Sequence, residues 1–123
     1  MKFNTEIIMP SGVSKESKTT IVKIELKGSL DNNNTPDFEF FINTLINGGV
    51  KKILIDINDL QYLDSTGIGS LITVTKKIRK DNGDVAITRY TAQVMTILKP
   101  INMEKFIQFF STVDDGIKYL KSL

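Results

Sequence analysis

After its two lysines, the stretch VKKILIDI (residues 50–57) is almost unbroken aliphatic sequence, with Gly48 and Gly49 just before it. A strand with one wet face alternates apolar and polar residues; a near-continuous run of strand length belongs to a strand covered on both faces. Residues 50–57 are therefore expected at the centre of a sheet, and the flanking sequence must supply the layers that cover it.

It does so by alternating helices with strands. Phe38, Phe41, Ile42, Leu45 and Ile46 fall at i, i+3, i+4, i+7 and i+8, one helical face, with Thr35 as the expected cap, Pro36 in the first helical position, and Gly48 and Gly49 as the stop. A second helix is expected from Thr66 to Lys80, with Ile68, Leu71, Ile72, Thr75 and Ile78 facing inward and DNGD ending it. VAIT (residues 85–88) reads as a short buried strand, Thr91 to Leu98 as a third helix stopped by Pro100, and KFIQFF (residues 105–110) as a last strand. The closing VDDGIKYLKSL reads as a helix capped by Ser111, with Asp114 and Asp115 early and Lys118 and Lys121 late, as the helix dipole favours. At the start, residues 2–9 and 19–27 alternate in apolar character and are expected to pair as a hairpin through the polar PSGVSKESK. The sum is one α/β domain over residues 1–123, with a mixed, mostly parallel sheet of about five strands and four helices.

Composition narrows the function classes. Hydrophobic residues make up 41% and charged residues 24%, which fits an ordinary globular domain and argues against disorder. The apolar runs are strand-sized, so no membrane association is expected, and the opening MKFNTEIIMP lacks the apolar core of a secretion signal; a cytoplasmic setting follows as the expectation. Without cysteine there is neither a disulfide framework nor a thiolate metal site, and no cofactor or metal is expected. A net charge of +2, with cations scattered through Lys51, Lys52, Lys76, Lys77, Arg79 and Lys80, does not point to nucleic acid; the last four fit a solvated helix end.

The chemistry concentrates in LQYLDSTGIGSL (residues 60–71), between the central strand and the second helix, where parallel sheets place functional loops. A nucleophilic serine needs a base, and the chain has no histidine, so a Ser-His-Asp hydrolase is excluded. GIGS is too short for a dinucleotide fingerprint, and no G-x-x-x-x-G-K-[ST] loop occurs. The alternative reading of Ser65 is simply a helix cap, its hydroxyl bonded to the amides of Gly67 or Ile68. Acid-base or phosphoryl chemistry by Asp31, Asp64 and Ser65 stays open as an enzyme reading, although no metal-ligand spacing accompanies them.

YLDSTGIGSL resembles the phosphorylation segment of STAS-domain proteins, the bacterial anti-sigma factor antagonists: aspartate, serine, a small residue, glycine, then an aliphatic residue and glycine. LKGSLDNNNT is similar to that family's G-x-L-D turn, although Ser29 stands where an acidic residue is frequent. The resemblance implies a STAS-like domain that is a binding module and no enzyme, phosphorylated on Ser65, with Asp31, Asp64, Ser65, Thr66, Gly67 and Ile68 in the partner-binding surface. Ile68 can equally belong to the core, and Gly67 and Gly69 read as room for the turn and the partner. The implied scheme is partner switching. The unphosphorylated chain binds an anti-sigma factor serine kinase of the GHKL type and frees the sigma factor, phosphorylation ends that binding, and a PP2C-type phosphatase resets it. The chain itself would be a monomer or weak dimer. A STAS module acting as a scaffold, or regulating a target other than a sigma factor, is the alternative.

Overall fold

A computed structural model describes residues 2–8 and 20–123. The elements follow in the order β1 (Lys2–Ile8), β2 (Ile21–Leu30), α1 (Thr35–Asn47), β3 (Lys52–Leu63), α2 (Ser65–Lys80), β4 (Asp84–Thr88), α3 (Ala92–Leu98), β5 (Gln108–Phe110) and α4 (Val113–Lys121). They build a five-stranded sheet in the order β1-β2-β3-β4-β5. β1 runs antiparallel to β2, from Lys2 opposite Lys27 to Ile8 opposite Ile21, and β2 to β5 are parallel. The expected hairpin pairing and the mixed α/β sheet with four helices are thus present; the Pro10 to Lys18 connection lies outside the described residues.

Alternation along the strands assigns the two faces. Val22, Ile24 and Leu26 of β2, Ile53, Ile55 and Ile57 of β3, and Val85 and Ile87 of β4 face one core, which α1 closes with Phe38 and Ile42, α2 with Leu71, Val74 and Ile78, and α3 with Val94 and Leu98. The residues between them, Ile21, Leu54 and Ala86, meet Leu120 of α4 on the other face. The run VKKILIDI is covered on both sides because each of these layers takes alternate residues. Burying a leucine or isoleucine of this kind contributes about 1.5–3 kcal/mol.

On the α4 face two carboxylates are buried, Asp56 and Asp84. Asp56 is 2% exposed and accepts a two-pronged contact from Arg89 Nε (3.0 and 3.1 Å) and Nη2 (2.5 Å), which pushes the Arg89 guanidinium further up from its ordinary value. Arg89 takes a left-handed φ of 54° directly after β4, a conformation that turns the chain out of the sheet.

Several boundaries differ from those expected. β3 reaches Leu63 rather than ending at residue 57, and beyond Asp56 it pairs with β2 alone. Register shifts opposite Glu25/Lys27 and Gly28/Ser29 insert extra residues in β3, which breaks its alternation and leaves Asn58, Asp59, Gln61 and Tyr62 exposed. Asn34, not Thr35, stands at the start of α1, and its side chain makes no cap bond; Thr35 is the first helical residue and is buried. Thr112 replaces Ser111 as the cap of α4, accepting from the Asp115 amide at 3.1 Å. β5 begins at Gln108, because Met103–Lys105 form a short 3-10 turn. In α2, Val74 joins the buried face while Ile68 and Ile72 lie at its half-buried edge. Among the described residues no helix is long and apolar enough to cross a membrane.

Candidate functional site

β2 and β3 end in register, Leu30 opposite Leu63, so the residues that follow, Asp31 and Asp64, leave the sheet side by side. The two exits are tied at once: the Asp64 amide donates to the Leu30 carbonyl at 3.3 Å. α2 then starts hard against β2. A Cβ on Gly67 would stand 2.1 Å from the Leu30 carbonyl oxygen, a backbone contact that only glycine admits.

Asp64 is the hinge of the arrangement. Its Oδ1 accepts from the Gly67 amide at 2.8 Å and so caps α2, while its Oδ2 accepts from the Asn32 amide at 3.2 Å and so holds the β2–α1 turn. This corrects the expectation that Ser65 caps the helix. The Gly67 amide goes to Asp64 Oδ1 and the Ile68 amide to the Asp64 carbonyl, whereas Ser65 is the first helical residue and is exposed with Thr66. Among the described residues, the amides of Ser65 and Thr66 remain the first-turn donors without an acceptor.

Asp31 is organised by its own turn. Oδ1 accepts from the Asn33 amide and Oδ2 from the Ser29 hydroxyl, both at 2.9 Å; the Asn33 bond first, then Ser29, holds the carboxyl below its ordinary range. Asn34 closes the turn from beneath, accepting from the Asp31 amide and donating to the Ser29 carbonyl, each at 2.9 Å. Ser29, where the resemblance leads one to expect an acid, is thus a donor to Asp31; a carboxylate there would repel it.

The structure brings Asp31, Asp64, Ser65 and Thr66 to one surface, with Ile68 half-buried at its margin. Gly67, expected in the contact surface, is buried beneath it and serves the approach of α2 to β2. Asn32, Asn34 and Ser29 were not singled out as turn-builders; their signal was the polar run SLDNNNT, which marks a turn without saying which carboxylate it holds. Both aspartates already serve as acceptors for backbone amides, an arrangement that fixes the two side chains in place. Among the described residues no group of three or more acidic side chains is placed to hold a metal ion. A hollow of about 480 Å³ lies elsewhere, between Tyr90, Ala92, Met95, Lys99, Glu104 and Phe109, and includes none of these residues.

The family model for the STAS domain matches residues 13–116. A protein of Thermotoga maritima named as a candidate anti-sigma factor antagonist is 19% identical over 83 residues, 68% of this chain and 74% of its own length. Among solved structures, the anti-sigma factor antagonist SpoIIAA in its unphosphorylated form superposes with a TM-score of 0.67 at 19% identity, covering 98% of this chain and 100% of its own. The phosphorylated form of the Bacillus cell fate determinant SpoIIAA gives 0.68 at 18% identity, covering 96% of this chain and 98% of its own. A sulfate transporter family protein from Wolinella succinogenes gives 0.74 at 14% identity, covering 94% of this chain and 89% of its own. At these identities the solved structures speak for the fold, and the family match extends over most of the sequence: the chain belongs to the STAS domain family.

Proposed function

We propose that this chain is an anti-sigma factor antagonist of a partner-switching pathway, a binding module and kinase substrate rather than an enzyme, acting in the cytoplasm. One observation carries the reading: Ser65 is exposed at the first position of α2, on a platform held rigid by Asp64, Gly67 and the Asp31 turn. A GHKL-type anti-sigma factor kinase would dock on Asp31, Asp64, Ser65, Thr66 and the edge of Ile68. The γ-phosphoryl group of ATP then passes to Ser65 Oγ: the new O–P bond forms, the β,γ P–O bond breaks, ADP leaves, and the hydroxyl proton goes to a base on the kinase.

The same geometry supports how modification would end binding. A phosphate on Ser65 adds about two negative charges beside Asp31 and Asp64, with only the Ser65 and Thr66 amides free to receive it. Exposed to water that is tolerable, but buried under a partner it leaves unpaired charge and costs several kcal/mol. A PP2C-type phosphatase would restore the hydroxyl. Intact mass of the chain from its native cell, with the modified residue mapped, tests the site: phosphate on Ser65 supports it, and phosphate confined to other residues refutes it.

The likeness to a sulfate transporter family protein favours one second reading, a STAS module serving a target other than a sigma factor. A pull-down with wild type and Ser65→Asp separates the two. A GHKL-type kinase retained by wild type and lost by Ser65→Asp supports the first; a phosphorylation-sensitive partner of another kind supports the second.

A further inference from the structure

We propose that Gly69 keeps the Ser65 hydroxyl uncovered, so that the size of the side chain at position 69 sets how fast Ser65 is phosphorylated; this rests on the reading of Ser65 as the modified residue. Among the described glycines whose φ is not left-handed, Gly67, Gly83 and Gly116 differ sharply from Gly69 in their surroundings. A Cβ would meet backbone at 2.1 Å on Gly67 and at 2.2 Å on Gly83, and the Thr88 side chain at 2.5 Å on Gly116, so each of these is required by the fold. Gly69 is exposed within α2, its φ is not left-handed, and a Cβ there would find nothing within 4 Å. A glycine inside a helix is worse than alanine by about 0.5–1 kcal/mol. The fold of this chain gives no return for that penalty.

The helix geometry supplies a return at Ser65. Gly69 lies four residues on, about 6 Å further along the axis and on the same face. Helical side chains lean toward the N-terminus and cover the turn before their own Cα, so a side chain at 69 would extend over Ser65. Phosphoryl transfer needs the incoming phosphorus within about 3–3.5 Å of the hydroxyl oxygen and in line with the breaking bond. A methyl group would sit clear of that path, since the space is open; a leucine or glutamine would reach into it.

The test is initial-rate thiophosphorylation of the full chain in native-cell extract supplied with ATPγS, with thiophosphate mapped to Ser65. The thiophosphoryl group resists phosphatases, which isolates the forward step. Gly69→Ala should label close to the wild-type rate and melt at higher temperature, while Gly69→Leu should label roughly tenfold more slowly or worse. Thr73→Leu, exposed one turn further from Ser65, should stay near the wild-type rate. Should Gly69→Leu fail to fold by circular dichroism, Gly69→Gln takes its place. Wild-type labelling with Gly69→Leu equally fast overturns this proposal alone, as does an equal loss in Thr73→Leu, which would make bulk anywhere on the face responsible. Absence of thiophosphate from wild-type Ser65 overturns the phosphosite reading, and this proposal with it.

Discussion

Asp64 joins two roles that are usually separate, capping α2 through Oδ1 and holding the β2–α1 turn through Oδ2. Removing the carboxylate frees two amides at once, so Asp64→Ala should lower stability by about 1–2 kcal/mol in denaturant unfolding. Asp64→Asn, which retains one acceptor oxygen and is itself a good cap, should lose distinctly less; equal losses would show that charge, and not the cap, is what matters. Asp31 offers a second check. Its carboxyl is held down by the Asn33 amide and the Ser29 hydroxyl, so the folded state binds its proton less readily than the unfolded chain. The stabilisation is present above the ordinary aspartate value of about 4 and is lost as pH falls through the lower folded value. Ser29→Ala should move the Asp31 titration upward when followed by NMR, and an unmoved titration would remove Ser29 from the account.

At the scale of elements, α2, β4 and α4 meet at the far end of α2 around one carboxylate. Asp84 accepts from Arg79 Nε at 2.9 Å through Oδ1 and from the Tyr119 hydroxyl through Oδ2, while the Arg79 guanidinium lies 5.2 Å from the centre of the Phe106 ring. Burial first, then the bond to Asp84, pushes the Tyr119 hydroxyl up to about 12. The unfolded tyrosine ionises near 10, so between these values the unfolded state has already released a proton that the folded state keeps. Stability should therefore decline as pH rises from about 10 to about 12, and Tyr119→Phe should remove that part of the decline from thermal melts; an unchanged alkaline slope would refute the assignment. None of this cluster could be read in advance, since Tyr119 lies 35 residues from Asp84 and Arg79 and Asp84 sit among ordinary surface charges. What could be read were the periodic segments: the α1 face led by Phe38 and Ile42, and β3 up to Ile57. Periodicity failed beyond Ile57, where inserted residues destroy the alternation, and at the caps, where Asp64 next to Ser65 and Thr112 next to Ser111 are equivalent until the backbone chooses between them.

For the whole molecule, the question is whether a charge at Ser65 acts on the fold or on what the fold presents. The site stands at the C-terminal ends of β2 and β3, outside the core, and its supports are the Leu30 carbonyl, the Asp64 carboxylate and the buried Gly67. A negative charge on Ser65 gains from the helix N-terminus about 0.3–1 kcal/mol and loses a comparable amount to Asp31 and Asp64, so the folding equilibrium should hardly move. Docking is different, because water that screens the charge is then excluded, and a hundredfold loss of affinity requires only about 2.7 kcal/mol. The magnitudes thus favour an interface effect over a structural one. Ser65→Asp should accordingly show backbone amide shifts confined to residues 29–34 and 62–70, with a melting temperature close to wild type and at least about a hundredfold weaker retention of the partner. Shifts spreading through β3 into β4 would instead mean that the Asp64 cap has been displaced and the β2–α1 turn released, and the switch would then be a rearrangement of the domain.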